Sequence, residues 1–299
     1  MQICPGGTLE DPPPVCLDPC STLDPSRNAT FDTIEAVLRD LFTVLPDAFV
    51  HLGGDEVDTT CWDSTPRIAK WMAQKGIDAD GGYGYFVSRT QAIAHKLGKT
   101  AIVWDEVRMR LLLLMFLLLV LLLVRADVPL LQLWNHFGTA LDREKTVLNT
   151  RFNPSQAPKR RPCVANATSH GYRVVRSQNI HWYLDQTVQK PWSAQYDFEP
   201  CADLPGGVGG KSCTFIVGGA ASMWGETVDT SDLMNTVWPR AGAVGERLWS
   251  AAAVNDSAAA LPRYTAFRCY LNRRGFAAAP ALNAVAREAP AGPGSCFAQ

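Results

Sequence analysis

The chain lacks a charge excess of either sign: 28 Lys plus Arg stand against 29 Asp plus Glu. Nucleic-acid binders carry a basic surplus, so no nucleic-acid partner is expected. Charge is scarce altogether, at 19% of residues, below the usual quarter. With 47% hydrophobic residues, the chain is able to bury a sizeable core, which excludes wholesale disorder. It has no Cys-x-x-Cys pair and no Cys/His cluster, although it contains nine Cys. A zinc site is therefore not expected. Met1-Gln-Ile-Cys4 does not begin a signal peptide. The chain also lacks an apolar run long enough to cross a membrane. The longest, residues 111–124, has 14 residues between Arg110 and Arg125. As a helix it reaches only about 21 Å, against about 30 Å of hydrocarbon. An apolar insertion that does not span a bilayer is expected there.

What is present points to a secretory, α/β protein. A length of 299 residues fits one large α/β domain or two ordinary ones. The Cys residues are scattered, and three glycosylation acceptors occur at Asn28, Asn166 and Asn255. Together these favour an oxidising compartment. Cys201 and Cys213 flank a Gly-rich insertion and are placed to pair locally. Nine is odd, so at least one Cys has no intrachain partner. Residues 1–27, rich in Pro and Cys, read as an irregular loop. Residues 28–299 read as the folded domain.

Ile34, Val37, Leu38, Leu41 and Phe42 repeat at helical spacing, with Thr30 as the expected N-cap. Thr65, Pro66 and Gly76 bracket a second helix. Further helices are expected over 83–97, 240–248 and 261–272. Strands are expected over 48–52, 100–104, 129–134, 172–177 and 214–219. Strands alternating with helices imply a mainly parallel sheet.

The strand ends share a chemistry. His51-Leu-Gly-Gly-Asp55-Glu56 ends the first, Trp104-Asp-Glu the second and Trp134-Asn the third. Trp182-Tyr183-Leu-Asp185 lies just after the fourth, and Trp224-Gly-Glu226 just after the fifth. In a parallel barrel the C-terminal strand ends open onto one face, which houses the active site. Aromatic rings and carboxylates on one mouth suit a sugar, whose ring faces lie on Trp and whose hydroxyls bond to Asp and Glu. Neighbouring strand residues point to opposite faces. Asp55 and Glu56 therefore share a pocket only where the backbone turns, and Gly53-Gly54 gives that freedom. Two adjacent carboxylates raise one another's proton affinity, which suits a general acid beside an ionised partner. An acidic helix N-terminus or a calcium loop is the plainer reading of the same pair.

His51-Leu-Gly-Gly-Asp-Glu-Val with Cys61-Trp62 resembles the active-site segment of the β-N-acetylhexosaminidases, glycoside hydrolase family 20. Trp104-Asp-Glu, Trp182-Tyr183-Leu-Asp185, Gly218-Gly219 leading to Trp224-Gly-Glu226, and Trp238 through Trp249 follow in the same order. The ending, with Cys269 and Cys296, also matches. The resemblance implies a (β/α)₈ TIM-type barrel, here truncated to about its last five strands, without the family's first-strand Arg. It implies substrate-assisted, retaining removal of terminal β-linked N-acetylglucosamine or N-acetylgalactosamine from glycans. Glu56 would be the general acid. Asp55 would hold the acetamido N–H and Tyr183 the acetamido oxygen. Trp104, Trp134 and Trp224 would wall the pocket, Asp185 and Glu226 would bind hydroxyls, and His51 would sit behind. A disulfide Cys269–Cys296 is implied, as are a homodimer and a lysosomal, vacuolar or extracellular home; Cys61 is expected to pair with a Cys of the N-terminal loop, Cys20 or Cys16 before Cys4. No metal or organic cofactor is implied. The competing expectation is an inactive or sugar-binding fragment.

Overall fold

The structure is a computed structural model, and it describes residues 22–104, 144–150, 163–187 and 190–281. The chain divides into two compact units, residues 1–149 and 150–299.

The first unit opens on helix α1, Asn28–Val44. It starts two residues before the expected cap. Thr30 donates its N–H to Arg27 O at 3.3 Å, and Thr30 is buried inside the first turn. Of the apolar residues that signalled the helix, Leu38 is buried while Val37 and Leu41 are exposed; the buried face is completed by Phe31. Strand β1, Phe49–His51, follows. A short helix α2, Thr60–Ser64, leads into α3, Pro66–Lys75. Pro66 takes the first position and Gly76 ends α3 in the left-handed region, as the sequence predicts. The Thr65 hydroxyl donates to Cys61 O at 2.7 Å and does not cap. Helix α4, Ala79–Lys96, starts four residues before the expected Tyr83 because Asp78 caps it, accepting from Gly81 N–H at 2.8 Å.

Strand β2, Thr100–Trp104, pairs in parallel with β1, opposing Val50 to Ala101 and His51 to Ile102. On its other side β2 pairs in parallel with β3, Thr146–Thr150, opposing Trp104 to Asn149. The sequence pattern does not predict β3; the strand expected at 129–134 lies outside the described residues. Every residue of β3 is buried, as befits a parallel strand covered on both faces. Trp62, Ile68, Met72, Tyr83, Ala94, Ala101, Val103 and Leu148 form the core of this unit.

In the second unit, α5 spans Cys163–Ser169 and β4 Arg173–Arg176. β4 pairs in parallel with β5, Ile216–Gly219, through a register shift between Val174 and Val175. β5 is shorter than expected, since Lys211–Phe215 forms a 3₁₀ turn. Between the strands lie α6, Asn179–Trp182, and α7, Trp192–Tyr196. After β5 come α8, Leu233–Val237, α9, Arg240–Trp249, and α10, Ser257–Arg273. Trp192, Tyr196, Ala243, Ala260 and Tyr264 pack into one cluster. The Trp192 and Tyr264 rings stack at 3.8 Å. Among the described residues no helix is long and apolar enough to cross a membrane; the Leu-rich run at 111–124 lies outside them.

Candidate active site

In the first unit the site is a turn at the end of β1. Leu52 N–H donates to Ile102 O at 2.9 Å and Trp104 N–H to Gly53 O at 3.1 Å, so the chain stays tied to β2 as it leaves the strand. Gly53 and Gly54 then adopt φ of 68° and 99°, a backbone that glycine reaches at little cost. Glu56 follows at φ 50°, alone in this region among the described non-glycine residues. Strain of this kind gathers at functional sites and persists only where neighbours fix it. One such neighbour is Tyr83, whose hydroxyl donates to Gly54 O. Asp55 is half-buried and Glu56 exposed. An apolar cavity lined by Leu52, Gly53, Gly54, Trp62, Tyr83 and Val103 adjoins the turn, and neither carboxylate lines it.

His51 folds back over this turn. Its Nδ1 accepts the Gly53 N–H at 3.0 Å. Its ring lies 5.1 Å from that of the buried Trp104. Its Nε2 lies 3.2 Å from the Asn149 carboxamide. Loss of hydration lowers the His51 pKa, and the charge of Asp55 opposes that shift. The net direction is downward, which favours the neutral imidazole.

In the second unit the polar residues follow β4 and β5. Trp182 is fully buried, its indole N–H donating to Gln195 O at 3.1 Å. Tyr183 bridges to Ser222 in parallel. Leu184 N–H donates to Ser222 O at 2.8 Å and Ser222 N–H to Trp182 O at 2.9 Å. The Tyr183 and Trp224 rings then meet at 5.8 Å and 61°. Asp185 accepts the Trp224 N–H at 3.4 Å. Tyr183, Asp185 and Trp224 are thus brought together, and Glu226 stands exposed two residues beyond.

Two residues outside the sequence reading take part. Asn149 meets His51 from β3, and nothing in the short run Thr146 to Thr150 marks it for that role. Arg240 is buried and donates to Leu184 O at 2.7 Å and to Thr187 Oγ1 at 3.2 Å. Burial lowers its pKa, while Tyr264 and Asp185 push it back up. It lies in the Trp238–Trp249 motif, where nothing in the residue pattern ties it to Leu184.

The remaining residues are placed as follows. Trp134, Cys20 and Cys296 lie outside the described residues. Cys201 and Cys213 are bonded to one another. Cys61 and Cys269 are each disulfide-bonded. Asn28 is exposed at the start of α1, its Oδ1 accepting from Arg89 at 3.0 Å. Asn255 is exposed before α10, and Asn166 falls within α5. Among the described residues no group of three or more His, Cys, Asp or Glu is placed to hold a metal.

Comparison with known proteins gives the frame for these features. Residues 12–252 match the profile of glycosyl hydrolase family 20, catalytic domain. Beta-hexosaminidase 3 of Arabidopsis thaliana is 37% identical over 286 residues, covering 95% of this chain and 46% of that one. Beta-hexosaminidase subunit beta of Homo sapiens is 32% identical over 270 residues, covering 88% and 41%. The chain therefore spans about half the length of the relatives it matches. The crystal structure of an exo beta-N-acetylglucosaminidase from Vibrio harveyi, in complex with N-acetylglucosamine, superposes with a TM-score of 0.66 at 21% identity. That match covers 88% of this chain and 38% of that one. At this identity the likeness speaks for fold alone. The profile match and the plant and mammalian relatives agree, and the chain belongs to glycosyl hydrolase family 20.

Proposed function

We propose that this chain carries the acid-bearing part of a β-N-acetylhexosaminidase that removes terminal β-linked N-acetylglucosamine or N-acetylgalactosamine from glycans. The observation that carries the reading is the turn after β1, where Gly53 and Gly54 at positive φ lead to Asp55 and a strained Glu56. In the substrate-assisted scheme the 2-acetamido oxygen attacks the anomeric carbon as the bond to the leaving oxygen breaks. Glu56 gives its proton to that oxygen and later takes one from the water that opens the cyclic intermediate. Asp55 holds the acetamido N–H and faces the positive charge that develops on the ring. Tyr183 donates to the acetamido oxygen. Trp104, Trp134 and Trp224 are the aromatic walls, and Asp185 and Glu226 accept from sugar hydroxyls. His51 stands behind the acidic pair.

The five strands are read as members of an eight-stranded barrel. The disulfides support an oxidising, secretory location, with Cys269 joined to Cys296 and Cys61 to Cys20 or Cys16. Mammalian relatives are named as alpha and beta subunits, which supports association with a second subunit; a homodimer is the form read for this chain.

Release of nitrophenol from a nitrophenyl N-acetylglucosaminide by the full chain tests the activity. Turnover is expected, and Glu56→Gln is expected to lower kcat by roughly 10²–10⁴-fold with KM little changed. Turnover in the variant equal to that of the unaltered chain would remove Glu56 from the role. Binding of N-acetylglucosamine without any turnover would leave a sugar-binding fragment in place of the enzyme.

A further inference from the structure

The contacts of His51 do not balance as the atoms stand. Gly53 N–H points at Nδ1 from 3.0 Å, so Nδ1 carries the lone pair. A neutral imidazole then carries its single proton on Nε2. Yet the atom of Asn149 placed 3.2 Å from Nε2 is the amide nitrogen, another donor. The Asn149 Oδ1 is meanwhile buried with no hydrogen-bond partner among the described residues. Amide oxygen and nitrogen have nearly the same shape and are told apart by the network they serve. Turning the Asn149 carboxamide by half a turn sets Oδ1 on Nε2–H, which removes the donor–donor clash and gives Oδ1 its donor, while Nδ2 takes the buried position that Oδ1 leaves. Asn149 is 4% exposed, so the carboxamide is the shielded side of the contact, while His51 is exposed.

We infer that Asn149 is a positioning residue for the acidic pair, accepting from His51 Nε2–H and so fixing the ring tautomer whose Nδ1 receives the Gly53 N–H. The chain of contacts runs from β3 to the turn in two hydrogen bonds. Asn149 selects the Nε2–H form, the bare Nδ1 holds Gly53, and Gly53 begins the turn to Glu56 in which Gly53, Gly54 and Glu56 have positive φ. Trp104 limits the freedom of the ring from one side, and Trp104 itself opposes Asn149 in the β2–β3 register. Asp55 is the charged group whose field reaches His51. An Nδ1–H tautomer would present a donor to the Gly53 N–H and push the turn away. The catalytic consequence rests on the hydrolase reading of Glu56, whereas the tautomer does not.

The test is long-range proton–nitrogen correlation NMR on the full chain labelled at histidine nitrogen, with His51→Gln assigning the signal among the five His. The expected result near neutral pH is a neutral ring protonated at Nε2. A ring protonated at Nδ1, or at both nitrogens, would overturn the inference without any variant needing to fold. In Asn149→Leu the Nε2–H signature is expected to give way to mixed tautomers. Its kcat is expected to fall roughly 10- to 100-fold, the scale set by a misplacement of about 1 Å, with KM within about twofold. An unchanged tautomer or an unchanged kcat in a folded Asn149→Leu chain would also overturn it. An unaltered chain with no turnover, but with the Nε2–H ring and its loss in Asn149→Leu, would refute the hydrolase reading and leave the hold of Asn149 on His51 standing.

Discussion

Single charged groups decide how several segments are anchored. Asp24 is 2% exposed and joins the segment before α1 to α3. Burial pushes its pKa up, but hydrogen bonds from Arg67 and Ser26 outweigh this and hold it below the ordinary carboxylate value. Ser26 contributes its N–H at 2.9 Å and its hydroxyl at 2.8 Å. A carboxylate with a depressed folded pKa stabilises the fold above its unfolded pKa, and that contribution is lost as pH falls through the folded value. The loss belongs below the ordinary carboxylate value of 3.8. Asp24→Asn keeps the shape and removes the charge. It is expected to cost about 1.5–3 kcal/mol, the range for hydrogen bonds to a charged group. Urea unfolding at pH 7 measures this, and the gap between variant and parent should narrow towards pH 3. A gap independent of pH would show that the charge of Asp24 contributes nothing.

Asp185 tests substrate charge at the same scale. Under the proposed function it accepts from the sugar's 6-hydroxyl, which a 6-sulfate replaces with negative charge. Arg240 lies within the field of Asp185 and offsets part of the repulsion. Asp185 also receives the Trp224 N–H, so it has a structural task whatever the substrate. A repulsion of about 1 kcal/mol, the lower bound for like charges about 4 Å apart, corresponds to roughly fivefold. Neutral N-acetylhexosaminides are expected to outpace 6-sulfated ones by at least that factor, and Asp185→Asn to close part of the gap. Equal rates on both substrates by the unaltered chain would refute this while leaving Glu56 in its role.

Among the elements, β5 has the least room. A Cβ on Gly219 would sit 2.3 Å from Trp182 Cζ3 and 3.0 Å from both Arg176 O and Leu248 Cδ2. The ring is fully buried and hydrogen-bonded, and the carbonyl belongs to β4, so neither yields easily. Gly219→Ala is expected to destabilise by about 1–3 kcal/mol, as overpacking does, and to disturb the adjoining Tyr183–Trp224 contact. Tryptophan fluorescence and denaturant unfolding read the two effects, and a change within a few tenths of a kcal/mol would contradict the close packing. The sequence made the elements legible where local chemistry dictates them. Thr65-Pro66 and Gly76 bound α3 because proline suits the first helical turn and glycine the left-handed end. The turn at Gly53-Gly54 was legible for the same reason. β3 was not, since Thr146 to Thr150 has Asn149 in a run that carries no strand alternation, and its full burial is a tertiary fact. Asn149 and Arg240 were hidden likewise. Their partners are a ring nitrogen and a carbonyl distant in the chain, which no spacing rule reaches.

At the scale of the molecule, covalent cross-links bear on stability and on where the protein can fold. Cys201–Cys213, Cys61 and Cys269 are all in disulfides, a state that a reducing compartment does not maintain. The Cys201–Cys213 bridge is the one whose energetic effect follows from the chain itself. It closes a separation of 12 residues that includes Gly206, Gly207 and Gly209 at positive φ. Glycines widen the unfolded ensemble more than other residues, so the cross-link removes freedom where most exists. The chain-entropy model gives about 3 kcal/mol for a loop of this size. The loop feeds directly through the 3₁₀ turn at Lys211–Phe215 into β5, so loss of the bridge should be felt first in that strand. Cys201→Ser with Cys213→Ser is expected to lower the unfolding free energy by up to about 3 kcal/mol. It is also expected to speed amide exchange over 211–219, measured by mass spectrometry on the otherwise oxidised chain. Because Cys201 is buried, the single variant Cys213→Ser separates the two causes. It cuts the same bond while leaving the native thiol in the core. A double variant much less stable than this single one would assign the cost to a buried hydroxyl. Equal losses would assign it to the loop, and no loss in either would show that the glycine-rich loop gains nothing from being closed.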